Sequence, residues 1–187
     1  HFSRYLFCCE ALESTRVDDT LVIFREVFQE YGLPEFILSD NGVPFATKSL
    51  FGLSKLSVWW LRQGIQIQRI TPGHPEQNGR HERMHKTLKQ ATSSPSGANI
   101  LNQQEVFDGF RTIYNEERPH EGIGMKTPSE LFNKSKRPFL EHLPDLDYPE
   151  HERTVRVAKT GTITVQTKRI FISEVFSGEV LGLSPVD

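Results

Sequence analysis

Asp40 and Glu82 are the two carboxylates of this sequence best placed to do chemistry. Glu35-Phe36-Ile37-Leu38-Ser39 reads as a short buried strand that delivers Asp40 at its C-terminal end, with a turn at Asn41-Gly42 directly after it. Such a position projects a side chain from a sheet edge. Glu82 falls in the first turn of a helix entered through the turn-rich run from Thr71 to Gly79. Two carboxylates that meet in space supply half of an oxygen-ligand site suited to Mg²⁺. A pair of such ions can activate an attacking oxygen and stabilise a leaving oxygen at a phosphodiester. The plainer alternative stays open: an Asp that starts a turn, and a Glu drawn to a helix N-terminus by the macrodipole.

The helix that carries Glu82 has further polar groups on the same face. Lys86 and Lys89 lie four and seven residues on, and Asn78 lies four before. That spacing sets two cations beside the carboxylate, where a phosphate backbone could pass. A solvated helix face with a Glu-Lys pair is the alternative. Arg83 on the same helix and His74 in the loop before it are the other candidates for contact with DNA, a turn role being an equal alternative for His74.

The same helix also contains His81-Glu82-Arg83-Met84-His85, a literal H-E-x-x-H of the kind that binds zinc in metalloproteases. Three points count against a zinc protease. Arg80, Arg83 and Lys86 crowd a helix that is mainly apolar in such enzymes, and no clear third ligand follows, His120 being assigned to packing. The segments around Asp40 and Pro72 to Pro75 would also be left unexplained.

The elements that must position these residues follow from hydrophobic spacing. The opening residues His1 to Cys9 read as a strand, and Thr15 to Tyr31 as a helix ended by Gly32 and Pro34. Leu50 to Gln63 reads as a helix with Trp59 and Trp60 in packing roles, and Ile65 to Ile70 as an alternating strand. A helix from about Arg80 to Thr92 is followed by a flexible loop over Ser93 to Gly97, then by a helix from Val106 to Glu117. Thr127-Pro128-Ser129-Glu130 caps a last short helix. The order is that of an α/β protein with a mixed sheet. Residues 137–153, rich in Pro and acids, suggest a linker, and residues 154–187 a partial small β domain with short strands around a Gln166-Thr167-Lys168 turn.

Composition limits the possibilities without choosing among them. An apolar fraction of 36% with 13 Phe can supply a core, which excludes wholesale disorder. No apolar run is long enough for a membrane span, and no signal-peptide pattern is present. Cys8 and Cys9 are neighbours in an apolar run and read as small buried hydrophobes, consistent with a reducing cytoplasmic setting. The net charge of −2 alone argues against a nucleic-acid binder, yet Arg80 to Lys89 holds four basic residues and one acid.

Several ordered motifs then carry a resemblance. Ser39-Asp40-Asn41-Gly42, the run Thr71 to Gly79, Glu82 with Lys86-Thr87-Leu88-Lys89, Tyr114 to His120, and Lys126 to Phe132 resemble the catalytic core of retroviral-type integrases and bacterial insertion-sequence transposases. The resemblance runs from Phe2 to about Phe132. It implies a ribonuclease H-like mixed sheet flanked by helices over residues 1–136, followed by a short incomplete β tail. It also implies DNA strand cleavage and strand transfer with two Mg²⁺ or Mn²⁺ ions. Asp40 and Glu82 match the second and third acids of the family's triad, and Asn78, Lys86 and Lys89 match positions that contact the DNA end. The implied partners are transposon ends and target DNA, with a homo-oligomer in the full-length protein, no membrane, and a place at the nucleoid in a bacterial cytoplasm. The family's first Asp precedes a Ser-Arg pair, and Ser3-Arg4 here is preceded only by His1 and Phe2. Asp18 and Asp19 are poor substitutes because they open a helix. The expectation is that this chain lacks the first catalytic acid and is inactive, or nearly so. An inactive DNA-binding remnant is the competing outcome.

Overall fold

Val17–Tyr31 forms the first helix, α1, with Asp18 and Asp19 in its first turn, where the macrodipole favours acids. The structure, a computed structural model, describes residues 2–12, 17–40, 42–47, 52–71, 74–93, 97–148 and 153–184. The predicted positions Thr15, Asn41, Leu50, Pro72-Gly73 and Ser94 to Ser96 lie outside the described residues. Contacts divide the chain into two units: His1–Leu33 with Ile70–Pro138, and Pro34–Arg69 with Phe139–Asp187.

In the first unit, α1 buries Phe28 and Tyr31 and stops at Gly32, whose φ is +78°. A Cβ on Gly32 would stand 2.7 Å from the Ser135 carbonyl oxygen and 2.9 Å from that of Arg137, so the end of α1 is laced to a later segment. The Ser135 amide donates to the Tyr31 carbonyl at 2.9 Å, and the Leu33 amide to the Arg137 carbonyl at 2.8 Å. Tyr5, Phe7, Tyr31 and Phe132 form an aromatic cluster, with Tyr5 stacked on Phe132 at 4.2 Å.

The expected opening strand is not formed: residues 2–12 are irregular chain, with Arg4 at a φ of +59°, and have no ladder partner among the described residues. Side chains from a later helix take the place of a neighbouring strand. The Asn115 amide accepts from the Leu6 N–H and donates to the Leu6 carbonyl, both at 2.9 Å. Gln104 accepts from the Ala11 N–H at 2.9 Å and donates to the Cys9 carbonyl at 3.1 Å. Arg111 donates to the Phe7 carbonyl at 3.0 Å. Backbone groups of Leu6, Phe7, Cys9 and Ala11 are thus paired without a sheet.

That helix begins earlier than apolar spacing suggested. It spans Ile100–Thr112 (α4, following α3 at Gly79–Thr92), capped by Asn99, which accepts from the Asn102 N–H, and it runs on as a π turn over Ile113–Glu117. Leu101 is 74% exposed, so the first turns carry no apolar stripe to announce them. The last helix, α5 at Pro128–Leu131, has the predicted capping box: the Glu130 carboxylate accepts from the Thr127 N–H at 2.6 Å.

In the second unit, strand β1 (Phe36–Ser39) pairs in parallel with β2 (Gln66–Arg69), Phe36 opposite Gln66 and Ser39 opposite Arg69. Between them runs helix α2, Lys55–Arg62, shorter than predicted and capped by Ser54. Leu56, Ser57, Val58 and Trp60 are its buried positions, and Trp60 stacks on Phe45. β1 is only partly buried, contrary to expectation: Phe36 is 40% exposed and Ser39 alone is enclosed.

The later strands of this unit are β3 (Arg153–Arg156), β4 (Thr162–Val165), β5 (Lys168–Phe171) and β6 (Val180–Leu183). β4 and β5 form a hairpin through Gln166 and Thr167, as the sequence predicted, with Gln166 at a φ of +56°. β3 pairs with β6, which the sequence reading did not anticipate. The α/β class therefore holds. The described strands form three two-stranded sheets, one parallel and two antiparallel, in place of one mixed sheet. No described helix is long and apolar enough to cross a membrane.

Candidate nucleic-acid interface

A short 3₁₀ turn at Pro75–Asn78 leads into α3, Gly79–Thr92. The loop before it is closed locally. Gln77 accepts from the Thr71 N–H at 2.8 Å, and the His74 ring lies 2.8 Å from the Glu76 carboxylate. His74 is thus held by an acid beside it and stays exposed.

Position along α3 separates its residues cleanly. Met84, Thr87 and Leu88 are half-buried and Thr92 is buried, whereas Glu82, Arg83, His85, Lys86 and Lys89 are exposed. At about 100° per residue, Glu82, Lys86 and Lys89 fall within roughly 60° of one another, with the Met84-Leu88-Thr92 stripe centred roughly 130° away. The helix therefore packs through one face and presents a carboxylate and two ammonium groups to solvent on the other, with the half-buried Asn78 at its N-terminal cap. Among the described residues no ion pair engages Glu82, Lys86 or Lys89, so their charge is available to a ligand. A polyanion is the ligand that two exposed lysines and Arg83 suit.

Asp40 leaves the C-terminal end of β1 in the second unit, as predicted, and is exposed. Its Oδ1 accepts from the Gly42 N–H at 3.0 Å, which orients the carboxyl group. Asp40 and Glu82 thus belong to different units, each described on its own. No group of three or more His, Cys, Asp or Glu side chains that could hold a metal ion occurs among the described residues. As donors, the two carboxylates are hard oxygen ligands of the type Mg²⁺ or Mn²⁺ accepts.

Other groups are excluded as nucleophiles or ligands by their surroundings. Burial, aided by Glu10, pushes the Cys8 thiol up to about 11, and burial with Cys8, Glu10 and Asp108 does the same for Cys9. Neither is poised to ionise. His120 is buried, its Nε2 3.3 Å from the Tyr114 carbonyl and its ring edge-on to Tyr114, which agrees with a packing role. Sequence reasoning missed Asn115 and Gln104, the two amides that hold the opening segment. Nothing in residue type or spacing distinguishes them from surface amides.

Residues 63–128 match the integrase core domain family. The match contains His74, Asn78, Glu82, Arg83, Lys86 and Lys89, and it does not reach Asp40. An uncharacterized protein of Caenorhabditis elegans is 32% identical over 129 residues, 68% of this chain and 10% of that protein. An uncharacterized 31.7 kDa protein of insertion element IS407 from Burkholderia multivorans is 26% identical over 106 residues, 56% of this chain and 36% of that protein. Among solved structures, a chain in the simian T-cell lymphotropic virus intasome in complex with PP2A regulatory subunit B56 gamma is similar in fold. Its TM-score is 0.51 at 16% identity, over 77% of this chain and 48% of that one. The chain spans well under half the length of these curated relatives. The family match is confined to residues 63–128, and the intasome chain is a likeness of fold alone.

Proposed function

We propose that this chain is the catalytic core of a DNA transposase or integrase with a ribonuclease H-like fold, acting in metal-dependent strand cleavage and strand transfer. The observation that carries the reading is α3: it lies inside the family match and presents Glu82, Lys86 and Lys89 together on its exposed face, with Asn78 at its cap. In this reading the core covers residues 1–136, with 137–153 as linker and 154–187 as a partial β domain. The partners are transposon ends and target DNA, with a homo-oligomer as the working form at a bacterial nucleoid.

Asp40 and Glu82 are the proposed ligands of two Mg²⁺ or Mn²⁺ ions, which when bound supply Lewis-acid activation at a phosphodiester. The chain's own residues bind and orient DNA. Lys86 and Lys89 contact phosphate oxygens as point charges, and Asn78 offers an amide that donates to a phosphate or accepts from a base or sugar. Arg83 and His74 extend the same contact along the strand. Water serves first as nucleophile and then a DNA 3′-hydroxyl, with no covalent bond to the protein.

The test is a Mg²⁺- or Mn²⁺-dependent nicking assay on DNA. It compares this chain with a form extended upstream to include the strand and Asp that the resemblance expects. Cutting by the extended form that disappears in Glu82→Gln and in Asp40→Asn supports the reading. DNA binding without cutting in both forms points to a binding remnant. Failure of both forms to bind or cut would sink it.

A further inference from the structure

The function proposed above gives the β4–β5 hairpin no role. Residues 153–171 hold Arg153, Arg156, Lys159, Lys168 and Arg169 and no Asp or Glu, in a chain whose net charge is −2. Strand alternation sorts the hairpin's side chains onto two faces. Ile163, which is buried, stands opposite Ile170 and marks the inner face. The outer face carries Thr164 opposite Arg169 and Thr162 opposite Phe171. Phe171 is 65% exposed, and Arg169 and Thr164 are exposed beside it. We propose that this outer face binds an unpaired stretch of DNA, with Phe171 stacked on a base and Arg169 on an adjacent phosphate.

An exposed aromatic ring and a guanidinium on one sheet face suit a single strand. Every base has a π-face on which a ring can stack, provided that face is uncovered. In a duplex the neighbouring bases already cover it, so the Phe171 ring selects the unpaired strand. A rise of about 3.3 Å per residue sets Arg169 and Phe171 about 7 Å apart, within reach of a phosphate beside the stacked base. Charge favours the same ligand. Among the described residues no carboxylate pairs with Lys159, Lys168 or Arg169, whereas Asp145 engages Arg156 at 2.7 Å. Three cations without a neutralising acid complement a polyanion. They also weigh against a second copy of the hairpin as the occupant. β5 pairs with β4 alone among the described strands, and Lys168 with Arg169 on that strand repels an identical edge. The choice of DNA rests on the function proposed above, but the stacking contact involves neither Asp40 nor Glu82.

The experiment follows the fluorescence anisotropy of a labelled oligothymidylate of about 15 nucleotides, and of a duplex of equal length, as the full chain is added. EDTA is present, so that no strand is cut. Phe171→Ala should weaken binding to the single strand about tenfold and leave duplex binding unchanged. Phe171→Trp should keep single-strand binding. Phe171→Leu should lose it as the alanine variant does, because leucine keeps apolar bulk without a ring. Arg169→Ala should lower the slope of log affinity against log salt on the single strand by about 0.7. An unchanged thermal midpoint in each variant, expected at so exposed a position, shows that the fold survives. The proposal is overturned if Phe171→Ala or Phe171→Leu binds the single strand as the parent does, or if both DNA forms weaken equally. A parent mass that rises with concentration and falls in Phe171→Ala overturns it in favour of a contact between copies. Single-strand binding that depends on Phe171 without any duplex binding supports this site and counts against the function proposed above. Duplex binding with no effect of Phe171 does the reverse.

Discussion

His120 shows how far a single buried side chain can couple this fold to pH. Burial holds its pKa below the usual 6.5; the Tyr114 carbonyl opposes that shift, while Arg118 and Arg4 reinforce it. The folded chain therefore binds this proton less readily than the unfolded chain. The stability carried by the neutral ring is complete above the unfolded pKa and is lost as pH falls through the folded one. Urea unfolding of the parent and of His120→Phe between about pH 8 and pH 5 tests this. The parent should lose more stability on acidification than the variant, and parallel curves would contradict the assignment. At this scale the sequence was informative about place. The turn signal after Ser39 put Asp40 at a strand end, and the turn-rich run before α3 put Glu82 in a first turn; both positions are observed. Roles are another matter, because two carboxylates in different units acquire a joint task only through a ligand. Asn115 was invisible, since a buried amide that clamps a backbone looks in sequence like any other Asn.

Elements are held here by side chains as much as by ladders. Asn115 is 3% exposed and makes both of its hydrogen bonds to Leu6, so Asn115→Ala should cost about 2 kcal/mol in denaturant unfolding. Gln104→Ala, at a half-exposed site, should cost about 1 kcal/mol. Equal and negligible effects would mean that the opening segment is not held by these amides. Gly32→Ala combines a positive φ with a close approach to two carbonyl oxygens and should cost about 2 kcal/mol or more, read as a lower unfolding midpoint. Helices with a clear apolar stripe and a stop signal, such as α1, were legible. The start of α4 was not, because its first turns are exposed and polar, and only the Asn99 cap marks it. The opening strand failed for the converse reason: its residue types suit a strand, but Leu6, Phe7 and Cys9 pair their backbone with side chains.

For the whole molecule, the sum of charge misleads and its arrangement does not. A net charge of −2 coexists with a helix whose exposed face carries Lys86 and Lys89. If those lysines contact phosphate, replacing either by Ala should weaken binding to all DNA sequences alike. Each replacement should lower the slope of log affinity against log salt by about 1. An unchanged slope would place the DNA elsewhere. The α/β class was readable from the order of elements, and the pairing of strands was not. Register and partner choice depend on contacts between distant segments, such as β3 with β6, and local periodicity carries no record of them.

The division into two units has a consequence for how the chain assembles as it is made. Each unit joins an early stretch to a late one: His1–Leu33 waits for Ile70–Pro138, and Pro34–Arg69 waits for Phe139–Asp187. A nascent chain that has emerged only as far as Arg69 holds α1 and the β1–α2–β2 segment but completes neither unit. Closing such long loops adds only about 0.6 kcal/mol per doubling of length, so the delay is one of order rather than of stability. During that interval Tyr31 lacks its partner Phe132 and Trp59 its partner Phe139, and the emerging chain is at its most adhesive before those later stretches arrive.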